Sequence, residues 1–256
     1  MRIVVKVGTS TLAHPTGHLN IRHVEHLCKV LSDLKNAGHQ IILVSSGAIG
    51  KLQLSQRPQD MPSKQAAAAV GQCELMYTYD KLFGEYNHTV AQILLTGDDI
   101  LDPQRKCNFQ NTLYRLLELD ALPIINENDT VATKEIAVDN DTLGAIVAGC
   151  ANADLLVLLS DINGLYTADP KSDPAATLIQ RVEELTPDIY ALAGEKGSDL
   201  ATGGMITKLH AAEIATATGV EMVIYNGCYP ECLYDIVEGI DCHRNDHWQS
   251  HGQYKR

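Results

Sequence analysis

The chain is short of positive charge. Its 256 residues carry 20 lysines and arginines against 32 aspartates and glutamates, a formal net charge of −12. That balance excludes a general nucleic-acid binder, whose affinity comes from basic patches. A polyanion site in such a chain has to be built locally, from a few lysines and backbone amides. Long apolar runs are missing too. The longest candidate, Ala145 to Leu159, is broken by Asn152 and Asp154, so no membrane span is expected. Residues 1–20 have no charged start, apolar centre and small-residue cleavage site, so no secretory leader is expected. The seven cysteines are odd in number and mostly scattered. That suits a reducing compartment better than a disulfide framework, and a cytoplasmic protein is expected.

Several familiar site motifs are absent as well. No G-x-x-x-x-G-K-[ST] loop occurs; the nearest string, Gly47-Ala48-Ile49-Gly50-Lys51-Leu52, has the wrong spacing and ending. The lack of G-x-G-x-x-G argues against a dinucleotide site. There is no G-x-S-x-G elbow and no H-E-x-x-H. Cys228, Cys232, Cys242, His243, His247 and His251 cluster near the end of the chain. Their spacing fits no standard zinc pattern, and a turn with a short helix explains Cys228 and Cys232 more simply. No metal ligand from the protein is expected.

What is present is an alternation of strands and helices. Apolar runs predict strands at 2–7, 40–44, 90–95, 122–126, 155–159 and 220–225. Between them, 3.6-residue periodicity predicts helices. One is capped by Asn20 and ends at Gly38; others cover 64–83, 108–119, 140–151 and 204–218. Strands separated by helices indicate an α/β fold with a mainly parallel sheet. Polar loops are expected at about 96–107, 127–139 and 161–186, with a polar tail after Cys242.

Lys6 stands out because it interrupts the run Ile3-Val4-Val5-Lys6-Val7. A strand of that composition is buried on both faces. Burying an ammonium is costly unless an anion meets it. Gly8 follows, which lets a ligand approach the backbone closely. The alternative is that Lys6 snorkels to water from the strand end. Thr202-Gly203-Gly204-Met205-Ile206-Thr207-Lys208 is a second glycine-rich element entering a helix. A helix N-terminus with free amides binds phosphate, and the lysine adds a point charge; a plain surface turn is the alternative. In open α/β sheets, ligands bind beyond the carboxyl ends of the strands. Gly8-Thr9-Ser10, Ser45-Ser46-Gly47, Asn126-Glu127-Asn128-Asp129 and Ser160-Asp161 all follow predicted strands, and Asp139-Asn140-Asp141 opens a helix.

The strings VVKVGTSTL (4–12), LVSSGAIG (43–50), QILLTGDD (92–99), PIINENDTVAT (123–133), DNDTLGA (139–145), LLSDINGLYTADP (158–170) and TGGMITKLHAA (202–212) occur in this order along nearly the whole chain. In that order the chain resembles the amino acid kinase superfamily, and within it the glutamate 5-kinase group. The resemblance implies a three-layer αβα sandwich. It implies an acceptor-binding part at about 1–150 and a nucleotide-binding part at about 151–242, followed by a tail at 243–256. It also implies transfer of the γ-phosphoryl of ATP, with Mg²⁺, to the side-chain carboxylate of L-glutamate in proline biosynthesis.

By that resemblance Lys6 and Lys208 stabilise the transferring phosphoryl and Asp141 orients them. Ser46, Gly47, Asp129 and Asn140 match positions that hold glutamate. Lys6, Gly8, Ser160, Asp161 and the loop Thr202, Gly203, Gly204, Met205, Ile206, Thr207 and Lys208 match those that hold the nucleotide. Many members of the group carry a further C-terminal RNA-binding (PUA) domain, whereas this chain ends soon after the kinase sheet. A homo-oligomer is expected, with proline as a feedback inhibitor near the glutamate site, and neither nucleic acid nor membrane as partner. Two other readings stay open. One is a kinase for a different small acid or phosphate; the other is a non-catalytic sensor, which need not keep Lys6, Asp141 and Lys208 together.

Overall fold

The computed structural model describes residues 1–46, 60–132, 138–193 and 204–240. Gly47, Thr202, Gly203 and the tail after Cys242 lie outside these residues. Six described strands form one sheet: β1 (Arg2–Val7), β2 (Gln40–Ser45), β3 (Val90–Leu95), β4 (Leu122–Glu127), β5 (Leu155–Ser160) and β6 (Glu221–Asn226). Their order is β3-β4-β2-β1-β5-β6, and every described pairing is parallel. All six carboxyl ends therefore lie along one edge.

Alternation along the strands divides the core. Ile3, Val5 and Val7, with Ile41, Leu43, Val157 and Leu159, face one apolar layer. That layer includes Val24, Leu27 and Leu31 of α2 (Ile21–Asn36) and Leu75, Tyr79 and Phe83 of α3 (Met61–Gly84). Val4, Ile42, Val44, Leu156 and Leu158 face the opposite layer. There they meet α5 (Pro103–Glu118), α6 (Asn140–Cys150) and α8 (Met205–Ala217). This is the expected three-layer αβα sandwich, its strands buried on both sides as parallel strands are.

Local signals fix the helix ends. The Asn20 side chain accepts from His23 N at 3.2 Å and caps α2. At the other end Gly38 takes φ +94°, and Gly38 N and His39 N donate to Lys35 O and Leu34 O. That is a Schellman end, and its left-handed position favours glycine.

Some expectations need correction. The segment 96–107 is not a structureless loop: it holds α4 (Gly97–Leu101), closed by a Thr96–Asp99 capping box, and the first turn of α5. Asp102 caps α5 by accepting from Arg105 N at 2.8 Å, and Pro103 occupies its first position. These helices are polar and largely exposed, so apolar periodicity hid them. The short helices α1 (Thr9–Leu12), α7 (Pro187–Leu192) and α9 (Cys232–Val237) complete the described elements. No helix among the described residues is long and apolar enough to cross a membrane.

Candidate active site

β1 is where the strand order reverses: β2 lies on one side of it and β5 on the other. In open α/β sheets that reversal opens the ligand crevice. Lys6 sits next to the carboxyl end of β1. It shares the pleat direction of Val4 and so faces the α6 layer. Asp141 stands in the first turn of α6. The α6 N-cap is Asp139, whose carboxylate accepts from Asp141 N and Thr142 N at 3.0 Å each. Lys208 comes from the first turns of α8, which packs beside α6.

These three side chains meet. Lys6 Nζ lies 2.6 Å from Asp141 Oδ1 and Lys208 Nζ 2.9 Å from Asp141 Oδ2. The Lys208 contact is a hydrogen bond. The Lys6 contact is a close ion pair. Thr207 Oγ1 reaches Asp141 Oδ2 at 3.4 Å and donates to Gly204 O at 2.7 Å. Side-chain exposures are 11% for Lys6, 3% for Asp141 and 6% for Lys208. Burial alone pushes the Asp141 carboxyl up. The Lys6 and Lys208 ammonium groups outweigh it, so its pKa falls below the ordinary value. A buried ion cluster is poor evidence for stability, because desolvation offsets most of the attraction. Its position at the switch point, on side chains from three separate elements, makes it the candidate site.

A second group of residues lies where β4 ends and α6 begins. Asp129 is pushed above the ordinary aspartate value by burial. It makes no side-chain hydrogen bond or ion pair with another described residue. The Asn140 side-chain oxygen is buried and also lacks a hydrogen-bond partner among the described residues. Glu127 was not singled out from the sequence. Its Oε1 accepts from Val138 N at 2.9 Å, tying the end of β4 to the approach to α6. Its carboxyl is raised by burial, which outweighs the lowering effect of the Val138 hydrogen bond, and the Asp129 and Asp139 charges add smaller like-charge repulsion.

The remaining predicted residues line the same edge. Ser46 follows β2, and its hydroxyl donates to Val7 O at 3.0 Å, leaving its lone pairs to accept from a ligand. Gly8 is in extended backbone (φ −85°). A side chain there would begin 3.5 Å from Lys6 Nζ. Ser160 ends β5; its hydroxyl donates to Asp161 Oδ1 at 3.2 Å and its carbonyl accepts from Gly227 N at 2.7 Å. Gly204 begins α8 with no side-chain cap, and Met205 and Ile206 form its first turn. That helix end offers amides to an anion.

Two buried hydrogen bonds from α3 hold this edge in place. The Tyr79 hydroxyl and Ser45 Oγ are 2.8 Å apart, and Asn126 Nδ2 donates to Gln72 Oε1 at 2.9 Å. Among the described residues no group of three or more His, Cys, Asp or Glu is placed to hold a metal.

The sequence pattern of the amino acid kinase family matches residues 1–226. A glutamate 5-kinase from Clostridium tetani is 55% identical over 242 residues, covering 93% of this chain and 91% of the relative. One from Listeria innocua is 51% identical over 247 residues, covering 93% and 90%. Among solved structures, the isopentenyl phosphate kinase of T. acidophilum in its product complex superposes with a TM-score of 0.63 at 18% identity, over 92% of this chain and 95% of that one. Carbamate kinase from Giardia lamblia bound to AMP-PNP gives 0.63 at 16% identity, over 93% and 95%. At such identities the structures establish a shared fold, and the sequence relatives go further: the chain belongs to the amino acid kinase family.

Proposed function

We propose that this chain transfers the γ-phosphoryl group of ATP to the side-chain carboxylate of L-glutamate, giving L-glutamyl 5-phosphate, the first step of proline biosynthesis. The observation that carries this reading is the pair of buried lysines, one from β1 and one from α8, held on the two oxygens of Asp141 at the switch point. Relatives of 50% identity and more carry the same activity in their names.

The chemistry suits the residues. A carboxylate acceptor is already ionised near neutral pH, so no general base is required. Phosphoryl transfer needs positioning and charge neutralisation rather than covalent help. A glutamate carboxylate oxygen forms the new bond to the γ-phosphorus as the bond to the β–γ bridging oxygen breaks, and ADP leaves with that electron pair. Lys6 and Lys208 offset the repulsion between the two anions, and Asp141 keeps both ammonium groups aimed. Mg²⁺ arrives with the nucleotide as MgATP and adds positive charge to its phosphates.

Glutamate is held by Ser46, Gly47, Asp129 and Asn140. Asp129, half-buried without a counter-charge from another described residue, takes the α-ammonium. Ser160, Asp161 and the loop Thr202 to Lys208 hold the nucleotide. The acceptor part of the domain is then about 1–150 and the nucleotide part about 151–242. A homo-oligomer is part of the proposal, supported by Val70 and Tyr77, exposed at 49% and 70% on the outside of α3. So is feedback inhibition by proline, for which proline-independent glutamate saturation curves would be disqualifying. A reducing, cytoplasmic setting is supported by six described cysteines that are all free.

The test is ATP-dependent hydroxamate formation. Hydroxylamine traps an acyl phosphate, so glutamate, MgATP and hydroxylamine should yield glutamyl hydroxamate. No hydroxamate from glutamate, with product from another acid in an acceptor panel, would reject the substrate and keep the kinase.

A further inference from the structure

We infer that Gly144 is a positioning residue for Lys6: its missing side chain makes the slot in which the lysine stem lies. Gly144 is one turn beyond Asp141 on α6, so the two face β1 together. Asp141 takes the ammonium and Gly144 takes the methylenes. A Cβ built on Gly144 would lie 3.3 Å from Lys6 Cβ, 3.6 Å from Lys6 Cγ and 3.6 Å from Leu156 Cδ1. The first of these is tighter than ordinary contact, and the atom that would have to yield cannot swing away. Lys6 Cβ is fixed to the centre of the sheet, where β1 is paired on both sides, Lys6 opposite Val44 and Leu158.

Nothing in the backbone calls for glycine here. Gly144 lies inside a regular helix and is not among the residues with positive φ. Helix propensity at such a position favours alanine. The remaining reason is steric. A methyl group would press α6 and β1 apart by a few tenths of an ångström or tilt the lysine stem. Either movement shifts the ammonium that now lies 2.6 Å from Asp141 Oδ1.

Gly149 supplies the control on the same helix. A Cβ there would meet Thr218 Oγ1 at 3.0 Å and Thr218 Cγ2 at 3.1 Å. That is closer still, but Thr218 is an exposed side chain beyond the end of α8, far along the helix from the lysines.

The inference rests on the reading of Lys6 as a phosphoryl-stabilising group, and the experiment separates the two. Kinetics and melting temperature are measured for Gly144→Ala, Gly149→Ala, Lys6→Ala and the double variant Lys6→Ala/Gly144→Ala. Misplacing a charged group by a fraction of an ångström predicts a kcat loss on the order of tenfold for Gly144→Ala. KM for glutamate and ATP should stay within about twofold of wild type, the melting temperature should not fall, and Gly149→Ala should keep wild-type kcat. In the Lys6→Ala background the Gly144 change should cost nothing further, because residues acting through one group are not additive.

Loss of kcat in Lys6→Ala with wild-type kcat in Gly144→Ala overturns the inference alone. Wild-type kcat in Lys6→Ala overturns the lysine reading and the inference with it. Should Gly144→Ala fold poorly, kcat is measured well below its melting temperature and referred to the folded fraction. It should still be lowered on the order of tenfold. A wild-type kcat per folded molecule would assign Gly144 to core packing and overturn the positioning role.

Discussion

At the phosphoryl end of the site, Lys6, Asp141 and Lys208 face one another as opposite charges. At the acceptor end, burial pushes the Glu127 and Asp129 carboxyls up, and Glu127 also feels the like charges of Asp129 and Asp139. One end carries its counter-charge with it; the other has none among the described residues. The difference follows from what each end has to do. Groups that stabilise a transition state work best when already oriented, because no reorganisation is then needed during the reaction. Groups that select a substrate gain most when the substrate supplies the missing partner, since a rival lacking it leaves a buried charge unpaired. On the proposed function, the α-ammonium of glutamate supplies that partner.

The largest effect should come from breaking the paired end. Lys208→Ala should lower kcat about a hundredfold or more, the scale of losing one charge-stabilising donor. Glutamate KM should change little, and steady-state hydroxamate assays read both. A wild-type kcat would remove Lys208 from the chemistry.

Next comes the acceptor end. Asp129→Asn should raise glutamate KM about ten- to a hundredfold, the worth of a charge-assisted hydrogen bond, with kcat within a few-fold. Its melting temperature should not fall, because a half-buried carboxylate with no partner among the described residues is removed. A kcat collapse at unchanged KM would reverse the roles assigned to the two ends.

A smaller, graded effect should follow pH. The raised Asp129 carboxyl becomes protonated above its ordinary value of 3.8. As pH falls through the raised value the site loses the charge that holds the ammonium. kcat/KM for glutamate should therefore show an acid limb that Asp129→Asn lacks, because this ratio reports groups of the free enzyme. Stability behaves oppositely at the two ends. Asp141, with its pKa lowered, contributes stability above the ordinary value, lost as pH falls through the lowered one. Asp129 and Glu127, with theirs raised, contribute only below their ordinary values and lose that contribution as pH rises through the raised ones. Unfolding of wild type and Asp129→Asn across mildly acid pH measures the difference.

The smallest effect should be that of Glu127→Gln. The amide oxygen can still accept from Val138 N, so only the long-range charge is lost. Glutamate KM should rise about two- to threefold, as expected for a partly screened charge that does not touch the ligand. A rise as large as that of Asp129→Asn would show that Glu127 itself meets the ammonium.

Much of this was legible in the chain because burial imposes periodicity. Continuous apolar runs at 2–7 and 155–159 gave strands buried on both faces. Apolar spacing with Asn20 and Gly38 gave α2 nearly to the residue. Polar helices such as α4 and the start of α5 escaped, although Thr96, Asp102 and Pro103 were readable caps, since little of them enters the core. Lys6, Asp141 and Lys208 could be named from the strings that carry them. Glu127, Gln72, Tyr79 and Gly144 could not, because their partners are 11, 54, 34 and 138 residues away along the chain.

The sequence by itself determined which segments become strands and helices, and that charged and small residues collect where strands end. Those are consequences of local propensity and of which side chains avoid water. Only the tertiary structure decided that β1 lies between β2 and β5, and that α6 and α8 pack side by side over it. Three residues from positions 6, 141 and 208 then share one carboxylate, with a glycine against the lysine stem. Strand order and helix packing are settled by burial summed over the whole core, so no single segment encodes the distance between them.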